Sequence, residues 1–282
     1  MVPDTGKIRS PYSKEIPVLC DIPSSLTMQD VMAAGLSSIE HMSYVLRAGT
    51  KNEKEIAELS ASGKLKGREL NNRILADFDE RTAMKVYGDM AKHDMYVTPT
   101  LSLPHLLAHL DEDNHQNDAY LLYMGKGLQK TYQMRIDRTS KDDKDAIAFR
   151  KLIIEKSESL LPLLQKAGVK IMAGTDAGYL NSFTYPGIGL HKELELMVAA
   201  GLSTLQALQA SIINQALFLN KKKYGSLAKG KKADILLLDE NPLLNISSTQ
   251  KMYTVVVKGK PMTQSDVKAA LDDVKTKTAA GL

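Results

Sequence analysis

The stretch that most constrains the fold of this chain is an apolar run that ends in a glycine-rich turn, Val169 to Gly178. Its first five residues, 169–173, are apolar except for Lys170, and Gly-Thr-Asp-Ala-Gly follows directly. A short apolar run before such a turn predicts a parallel strand that helices cover on both faces. In sheets of this kind, functional side chains lie just beyond the carboxyl ends of the strands. Asp176 occupies that position, with the alternative that its side chain caps the following helix or turn.

Three other apolar segments predict strands of the same sheet. Residues 16–20 and 36–41 flank a helix for which Thr27 provides an N-cap. Residues 95–101 form the third segment, and helical patterns fill the intervals between the segments. Strands that alternate with helices predict βαβ units with right-handed crossovers, and therefore an α/β fold built on a parallel sheet.

Ligand-type side chains follow three of these strands. Asp21 comes directly after the first strand, His41 ends the second, and Asp176 follows the fourth. Because the carboxyl ends of parallel strands meet at one edge of a sheet, we expect the three side chains to converge. Imidazole and carboxylate groups are zinc ligands, and a catalytic zinc keeps one position open for water. The alternative for His41 is a strand-end histidine with satisfied hydrogen bonds beside Glu40.

The other histidines carry weaker signals. His105 and His109 are spaced i, i+4, so a helix would place both on one face, where they could bind a metal. Leu106 stands where an HExxH motif would have glutamate, and two surface histidines are the alternative. His191 either faces the strand ends or packs against a neighbouring element. His115 lies in a polar stretch and is assigned no role.

Composition argues against several classes of function. The net charge of +4 is spread over 37 basic and 33 acidic residues, with no basic stripe, so we expect no nucleic-acid partner. No apolar run approaches the roughly 18 residues that cross a membrane. Cys20 is the single cysteine, which excludes an intramolecular disulfide and a cysteine-based zinc site. Residues 1–15 lack the apolar core of a signal peptide, and we expect a cytoplasmic location.

A set of motifs, taken in order along the chain, resembles a known family. The motifs are Leu36–His41, Val97–Leu101, Gly174–Gly178, His191–Leu196, Gly201–Ser203, Gly225–Asp234 and Asn241–Leu243. From about residue 16 to 260, they are similar to the C-terminal half of the barrel in the metal-dependent amidohydrolase superfamily, imidazolonepropionase-like branch. The resemblance implies a partial TIM-like (β/α) barrel made of the family's strands five to eight, plus a few strands of a small β-sandwich. It divides the chain into a partial barrel at 1–224, a sandwich part at 225–262 and a polar C-terminal tail at 263–282.

The resemblance also implies a ligand set for a divalent metal, which we expect to be zinc. His41 matches the ligand histidine at the end of the sixth strand. Asp176 matches the eighth-strand aspartate, which binds the metal and acts as the catalytic base. The fifth strand of the family ends in Gly-His-Val-Pro or a similar motif, whereas this chain has Cys-Asp-Ile-Pro at positions 20–23. Asp21 therefore replaces the usual histidine as the third candidate ligand.

The sequence has no counterpart of the family's first four strands, of its first-strand His-x-His pair or of its fourth-strand lysine. Because four strands cannot close the usual barrel, we expect an exposed sheet edge and an uncovered apolar face. Three explanations remain open. The chain is a fragment or has lost its N-terminal half, it pairs with a second copy or a partner that supplies the other half, or it is a half-barrel that binds without hydrolysing.

Two functions follow from these observations. The first is hydrolysis of an amide or related C–N bond, in a small non-peptide or dipeptide substrate, by metal-activated water. The second is a catalytically incomplete remnant that acts as a binding or assembly subunit. The number of ligands separates the two, because a catalytic zinc normally keeps three protein ligands and one of the three candidates here is substituted. In either case we expect a homo-oligomer or a complex with a partner chain.

Overall fold

The computed structural model describes residues 17–178 and 181–281. Its main sheet has four parallel strands in the order β1-β2-β3-β4, and they are Leu19–Cys20, Ser38–Glu40, Tyr96–Thr98 and Lys170–Ile171. This confirms the parallel sheet of a mixed α/β fold. Each strand is shorter than the apolar run that predicted it, and residues 1–16, where the first strand was expected to begin, lie outside the described residues.

Helices fill the connections between the strands. They are α1 Met28–Ala33, α2 Met42–Ala48, α3 Glu53–Ala61, α4 Gly67–Asp77, α5 Glu80–Lys92, α6 Ser102–Ala108, α7 Lys126–Thr139, α8 Lys144–Glu158, α9 Leu161–Ala167, α10 Ile188–Ala199, α11 Thr204–Ser211, α12 Ile213–Phe218 and α13 Gln264–Ala279. Short 3-10 turns occur at Ala119–Tyr123 and Ile246–Gln250. The expected cap of α1 is present, because the Thr27 side chain accepts from the N–H of Asp30 and the Asp30 carboxylate accepts from the N–H of Thr27. In the described part of the chain, no helix is both long and apolar enough to span a membrane.

One face of the main sheet forms the core. The register places Ile39, Val97 and Ile171 side by side on neighbouring strands, and all three are buried. The same core cluster contains buried side chains of the surrounding helices, namely Met28, Val31, Val45, Tyr87, Met90, Leu164 and Met197. Burying each large apolar side chain contributes roughly 1.5–3 kcal/mol, so this face holds the sheet and helices together.

The opposite face of the sheet is covered at its centre by α12. Ser38 and Tyr96 lie side by side on this face and are buried. The ring of Phe218, at the end of α12, packs edge-on against Tyr96 with ring centroids 5.1 Å apart. The expected uncovered apolar face is therefore wrong for the middle of the sheet. Towards β1 the expectation fits the residues that the structure describes, among which Leu19 is 46% exposed.

The edge of β4 is also covered, which corrects the expectation of an open edge there. The N–H of Ala173 donates to the carbonyl of Ala210 at 3.0 Å. The side-chain amides of Asn214 and Gln215 donate to the carbonyls of Ile171 and Ala173, at 2.8 and 2.5 Å. These three hydrogen bonds occupy backbone groups that would otherwise pair with another strand. We call this arrangement the edge cap.

The edge cap depends on a break that the sequence pattern did not predict. The apolar spacing of residues 203–219 predicts a single helix, but Ile212 departs from helical geometry, with φ −121° and ψ −65°, and separates α11 from α12. The break turns α12 towards the sheet. The sequence also predicts an N-cap at Ser203, and Ser203 caps α11 in a capping box with Gln206.

A separate antiparallel sheet follows in the order β5-β6-β7, and its strands are Ile235–Leu238, Met252–Val257 and Lys260–Met262. Apolar runs at 234–239 and 252–258 predict the first two strands, and the third is added by a two-residue hairpin. Lys258 and Gly259 both have positive φ, 51° and 80°, which is the geometry that favours such turns. The sequence pattern predicts a weak amphipathic helix at 267–274, and α13 extends beyond it at both ends, beginning after a capping box at Thr263. The boundaries proposed for the three parts of the chain stay a prediction.

Candidate functional site

Three strand-end side chains predicted to converge lie close together at the carboxyl edge of the main sheet. The Nε2 atom of His41 is 3.3 Å from Oδ1 of Asp21 and 3.9 Å from Oδ2 of Asp176. Both carboxylates are largely exposed and the imidazole is partly buried, so the cluster opens to solvent. One imidazole nitrogen thus lies near two carboxylates from different strands. Their roles as ligands stay a prediction.

A hydrogen bond fixes the ring orientation of His41. Its Nδ1 atom is 2.6 Å from the hydroxyl oxygen of Thr100, which also lies 2.8 Å from the carbonyl oxygen of Pro99. The bond to Thr100 directs Nε2, the other ring nitrogen, towards Asp21 and Asp176. A second hydrogen bond that fixes the ring in this way is typical of a histidine that binds a metal.

The backbone at these positions is strained. His41, Thr100 and Asp176 all have positive φ, at 71°, 49° and 52°. For residues with a Cβ atom this conformation costs about 1–2 kcal/mol each, and such strain accumulates at functional sites. The N–H of His41 donates to the carbonyl of Thr98, and the Asn181 side chain donates to the carbonyl of Asp176. These bonds hold two of the three residues in the strained form.

Glu40 is a neighbour of the cluster that the sequence pattern did not single out. It is aligned with Thr98 across β2 and β3. Its Oε1 atom and the Thr98 hydroxyl are buried without a hydrogen-bond partner among the described residues. Burial raises the pKa of the Glu40 carboxyl, and the negative charges of Asp176 and Asp21 add to this effect. Glu40 is therefore a half-buried carboxyl group with a raised pKa, directly next to His41 in the chain.

Glu193 is a second carboxyl group that sequence reasoning missed. It lies on α10, is 0% exposed, and accepts hydrogen bonds from the N–H groups of Leu101 and Ser102, both at 2.8 Å. Burial raises its pKa to about 7, against the opposing effect of these two hydrogen bonds. In the sequence it belongs to the helical run His-Lys-Glu-Leu-Glu-Leu, in which nothing distinguishes a buried glutamate from an exposed one.

A different group of ligand-type atoms lies in the loop after α6. Asp113, His115 and Asp118 each place one such atom within 4.8 Å of the others, although His115 was assigned no role. Nδ1 of His115 is 3.0 Å from Oδ2 of Asp118, and the hydroxyl of Tyr185 donates to the same carboxylate oxygen at 2.8 Å. The His115 ring stacks on Phe183, with ring centroids 5.3 Å apart. Hydrogen bonding and ring stacking within the chain are thus sufficient to explain why these side chains lie together.

This loop group borders a cavity of about 430 Å³ that also contacts His105 and His109. These two rings stack at 4.4 Å, which places them on one face as the spacing predicted. Their Nδ1 atoms bond to Glu158 and to the carbonyl of His105. The Nδ1 atom of His191 is 2.9 Å from the hydroxyl of Thr249, which lies in the 3-10 turn beside the smaller sheet. Of the two alternatives for His191, packing against a neighbouring element therefore agrees with the structure.

Comparison with protein families gives one match. Residues 23–262 match the sequence profile of the amidohydrolase family. Comparison with curated protein sequences found no significant match.

Solved structures give matches to the fold. A bottromycin amidohydrolase has a TM-score of 0.63 at 17% identity, over 94% of this chain and 53% of that one. The ochratoxinase of A. niger has a TM-score of 0.52 at 18% identity, over 88% and 42%. A Xaa-Pro dipeptidase with methionine in its active site has a TM-score of 0.50 at 20% identity, over 84% and 42%. The chain thus spans about half the length of these proteins, as a partial barrel would.

Proposed function

Because this chain belongs to the amidohydrolase family, we propose that it hydrolyses an amide or related C–N bond at the cluster formed by His41, Asp176 and Asp21. Membership of the family supports a hydrolase in general. The specific site is supported by one observation above all, namely the approach of the Asp21 and Asp176 carboxylates to Nε2 of His41, at 3.3 and 3.9 Å. We also propose that β1 to β4 correspond to strands five to eight of the family barrel, and β5 to β7 to its small sandwich.

The donor set of the cluster fits a divalent metal. A neutral imidazole nitrogen and two carboxylates are the ligand types of catalytic zinc, and zinc is the metal we propose. The Nε2 atom of His41 and the side chains of Asp176 and Asp21 would hold it. When bound, such a metal activates a water molecule as a nucleophile and polarises the carbonyl of the substrate. Asp21 supplies a negative charge where the family has a neutral histidine.

The chain's own groups would handle the protons. Asp176 accepts a proton from the attacking water and transfers it to the leaving nitrogen, so that hydroxyl is added to the acyl carbon and hydrogen to the amine. Its position is supported by Asn181, which bonds to the Asp176 carbonyl. Asp176 is partly exposed, as a group that exchanges protons with solvent must be.

We propose a small amide-type substrate and a cytoplasmic location. Among the solved structures similar in fold is a Xaa-Pro dipeptidase, which makes dipeptides and N-acyl amino acids a reasonable first panel. Such a panel tests substrate class. The free thiol of Cys20, partly buried beside Asp21, is consistent with a reducing compartment.

A non-catalytic binding or assembly subunit is the second candidate function. It is favoured by the edge cap, because Ala210, Asn214 and Gln215 occupy the edge of β4 at which another strand would continue a complete barrel. A strand from another chain could not extend the sheet there without breaking three hydrogen bonds. A partner that supplies further strands would therefore join at β1.

Metal analysis tests the proposed centre. We expect the purified chain to retain about one equivalent of zinc, as a three-ligand site would. Asp176→Asn and His41→Ala should lose it, because each removes a ligand. Asp118→Asn is the matched control, since Asp118 belongs to the loop group near His115 and should not affect the metal.

The pattern of loss decides between the functions. If the Asp176→Asn variant retains zinc and the Asp118→Asn variant loses it, the metal site is the loop group and not the proposed cluster. If the chain takes up no zinc when it is dialysed against zinc, the result would contradict metal-dependent hydrolysis and favour the binding or assembly role. Activity on the amide panel, lost in Asp176→Asn and kept in Asp118→Asn, would support hydrolysis at the proposed site.

A further inference from the structure

Lysines gather around the loop that links α12 to β5. Residues 221–232, which we call the lysine loop, contain six lysines and no acidic residue, a cluster that the overall charge of +4 conceals. The six are Lys221, Lys222, Lys223, Lys229, Lys231 and Lys232. Five of them are exposed, and none forms an ion pair with any residue that the structure describes. The lysine loop is therefore a local concentration of positive charge at the surface.

Backbone hydrogen bonds make the lysine loop compact. The N–H of Lys232 donates to the carbonyl of Lys223 at 2.8 Å, which brings two distant parts of the loop together. The N–H of Lys221 donates to the carbonyl of Ala216 at 2.8 Å and ties the loop to α12. Like charges held this close repel one another, and an anionic partner would relieve that repulsion.

The hairpin between β6 and β7 adds two further lysines. The N–H of Gly259 donates to the carbonyl of Ala233 at 2.8 Å, and the N–H of Lys258 donates to the carboxylate of Asp234 at 2.7 Å. Lys258 and Lys260 are both exposed. Eight lysines from two segments of the chain thus lie in one region of the surface.

Exposed apolar side chains lie among these lysines. Within the lysine loop, Leu227 is 76% exposed and Tyr224 is 45% exposed. On α12, Ile213 and Leu217 are spaced i, i+4, so they share one face of the helix, and both are exposed. Neighbouring exposed apolar side chains mark a binding surface more often than single ones do.

A groove of about 370 Å³ connects the charged and the apolar parts of this region. Its lining includes Ile213, Leu217 and Tyr224 together with Lys221, Lys222 and Lys231. The volume falls within the range of small-ligand sites. A group that fills the groove with complementary contacts needs an apolar part and a negative charge.

We propose that the lysine loop, together with this groove, binds the surface of a membrane rich in anionic phospholipid. The groove takes the phosphate of a headgroup between Lys221, Lys222 and Lys231, and Leu227 inserts at the boundary between headgroups and acyl chains. The binding is peripheral, through side chains at the surface of the folded chain. It is independent of the proposed hydrolysis, since none of these residues belongs to the proposed metal site.

Two features favour lipid over the other polyanions that lysines attract. Surfaces that bind single-stranded nucleic acid stack bases on aromatic side chains, and Tyr224 is the one aromatic residue of the lysine loop. The other exposed apolar side chains beside the lysines are aliphatic, as insertion among acyl chains requires. A second copy of this surface is also disfavoured as the partner, because two lysine loops repel each other.

Co-sedimentation of the whole chain with vesicles tests the proposal. We expect binding to vesicles of phosphatidylcholine mixed with phosphatidylserine, little binding to phosphatidylcholine alone, and a decrease in binding as salt is added. A lysine near an anionic membrane contributes about fivefold in affinity, so Lys221→Gln, Lys222→Gln and Lys231→Gln together should weaken binding about 100-fold.

Matched variants separate the lysine loop from net charge. Lys64→Gln, Lys66→Gln and Lys85→Gln together remove the same charge from exposed positions in the segment from α3 to α5, and should bind the anionic vesicles nearly as the unchanged chain does. Leu227→Ser should weaken binding about tenfold without changing any charge. Leu244→Ser should leave binding unchanged, since Leu244 is 85% exposed in the turn after β5, outside the lysine loop.

Three results would overturn the proposal. The first is no binding of the unchanged chain to the anionic vesicles at low salt, and the second is an equal loss of binding in the two triple variants. The third is a single-stranded oligonucleotide that binds more tightly than the vesicles while Leu227→Ser binds the vesicles unchanged, which would make the lysine loop a nucleic-acid surface. If the first triple variant does not fold, Lys222→Gln, Lys223→Gln and Lys229→Gln together take its place, since all three side chains are exposed.

Discussion

At the scale of single residues, the cluster depends on conformations that most side chains avoid. His41, Thr100 and Asp176 adopt positive φ within one small region. The three strands that precede them, β2 to β4, are short, so the strain must be offset by hydrogen bonds, such as the one that Glu193 accepts from the N–H of Leu101 and the one that Asn181 donates to the carbonyl of Asp176. Small neighbours complete the arrangement, and Gly174 is the clearest example.

Gly174→Ala should destabilise the chain. A Cβ atom at this position would lie 2.6 Å from the Cγ2 atom of Thr98, closer than contact allows. We expect a loss of about 1–3 kcal/mol in the free energy of unfolding, measured by urea denaturation. The matched control is Gly88→Ala, where a Cβ meets nothing within 4 Å on α5 and should add up to about 1 kcal/mol. Equal stability of the two variants would show that Gly174 is not a packing requirement.

The stability of the chain should depend on the pH through Glu193. Burial raises the pKa of Glu193 to about 7 in the folded chain, from an ordinary value of 4.5. The folded state therefore holds this proton more tightly than the unfolded state. The resulting stabilisation is present at acidic pH and is lost as the pH rises from about 4.5 to about 7, by about 3 kcal/mol.

Urea denaturation across pH 4.5 to 8 measures this contribution as a difference. Glu193→Gln cannot titrate, so the gap between its stability and that of the unchanged chain should narrow as the pH rises through this interval. Glu40 and Glu53 also have raised pKa values and remain in both proteins, so their effects cancel in the difference. A gap that is constant over the whole interval would contradict the assignment to Glu193.

At the scale of elements, local pattern predicted the strands and the caps, and failed where distant contacts decide the backbone. The parallel order of β1 to β4 and the caps at Thr27 and Ser203 follow from short sequence signals. The break at Ile212 does not, because Asn214 and Gln215 are drawn to carbonyls more than 40 residues away in the chain. Glu193 escaped prediction for the same reason, since its partners lie about 90 residues away.

Asn214→Ala and Gln215→Ala should each weaken the edge cap. Each removes a hydrogen bond to a strand carbonyl, which typically costs about 1–3 kcal/mol when the carbonyl stays unpaired. The newly open edge should also favour association between chains. Urea denaturation and light scattering measure the two effects, and Asn72→Ala, an exposed position on α4, is the control. Unchanged stability in both edge variants would contradict a role for these amides.

At the scale of the whole molecule, the chain is a half-barrel whose two edges differ. The edge of β4 is capped from within, whereas β1 ends the sheet with an exposed Leu19. The family resemblance predicted a partial barrel, and the positions of Asp21, His41 and Asp176 at the ends of parallel strands predicted that they converge. It could not predict the cap, because in a complete barrel another strand would occupy that edge.

Sedimentation velocity tests the proposed association through β1. We expect a dimer, or a complex with a partner chain, at micromolar concentration, and Leu19→Glu should shift the chain towards a monomer by placing charge on the exposed edge. Leu244→Glu is the control, since Leu244 is a more exposed leucine outside the main sheet. A compact monomer of the unchanged chain over the same range would argue against association.

The edge cap also sets an order of events during synthesis on the ribosome. β4 is complete once residue 171 has been made, but the amides that seal its edge belong to residues 214 and 215, 43 and 44 positions later. At about 5–20 residues per second, the nascent chain carries an unsealed edge for about 2–8 s. A chaperone that binds exposed strands would have that interval in which to act, and would be released by the chain itself when α12 emerges.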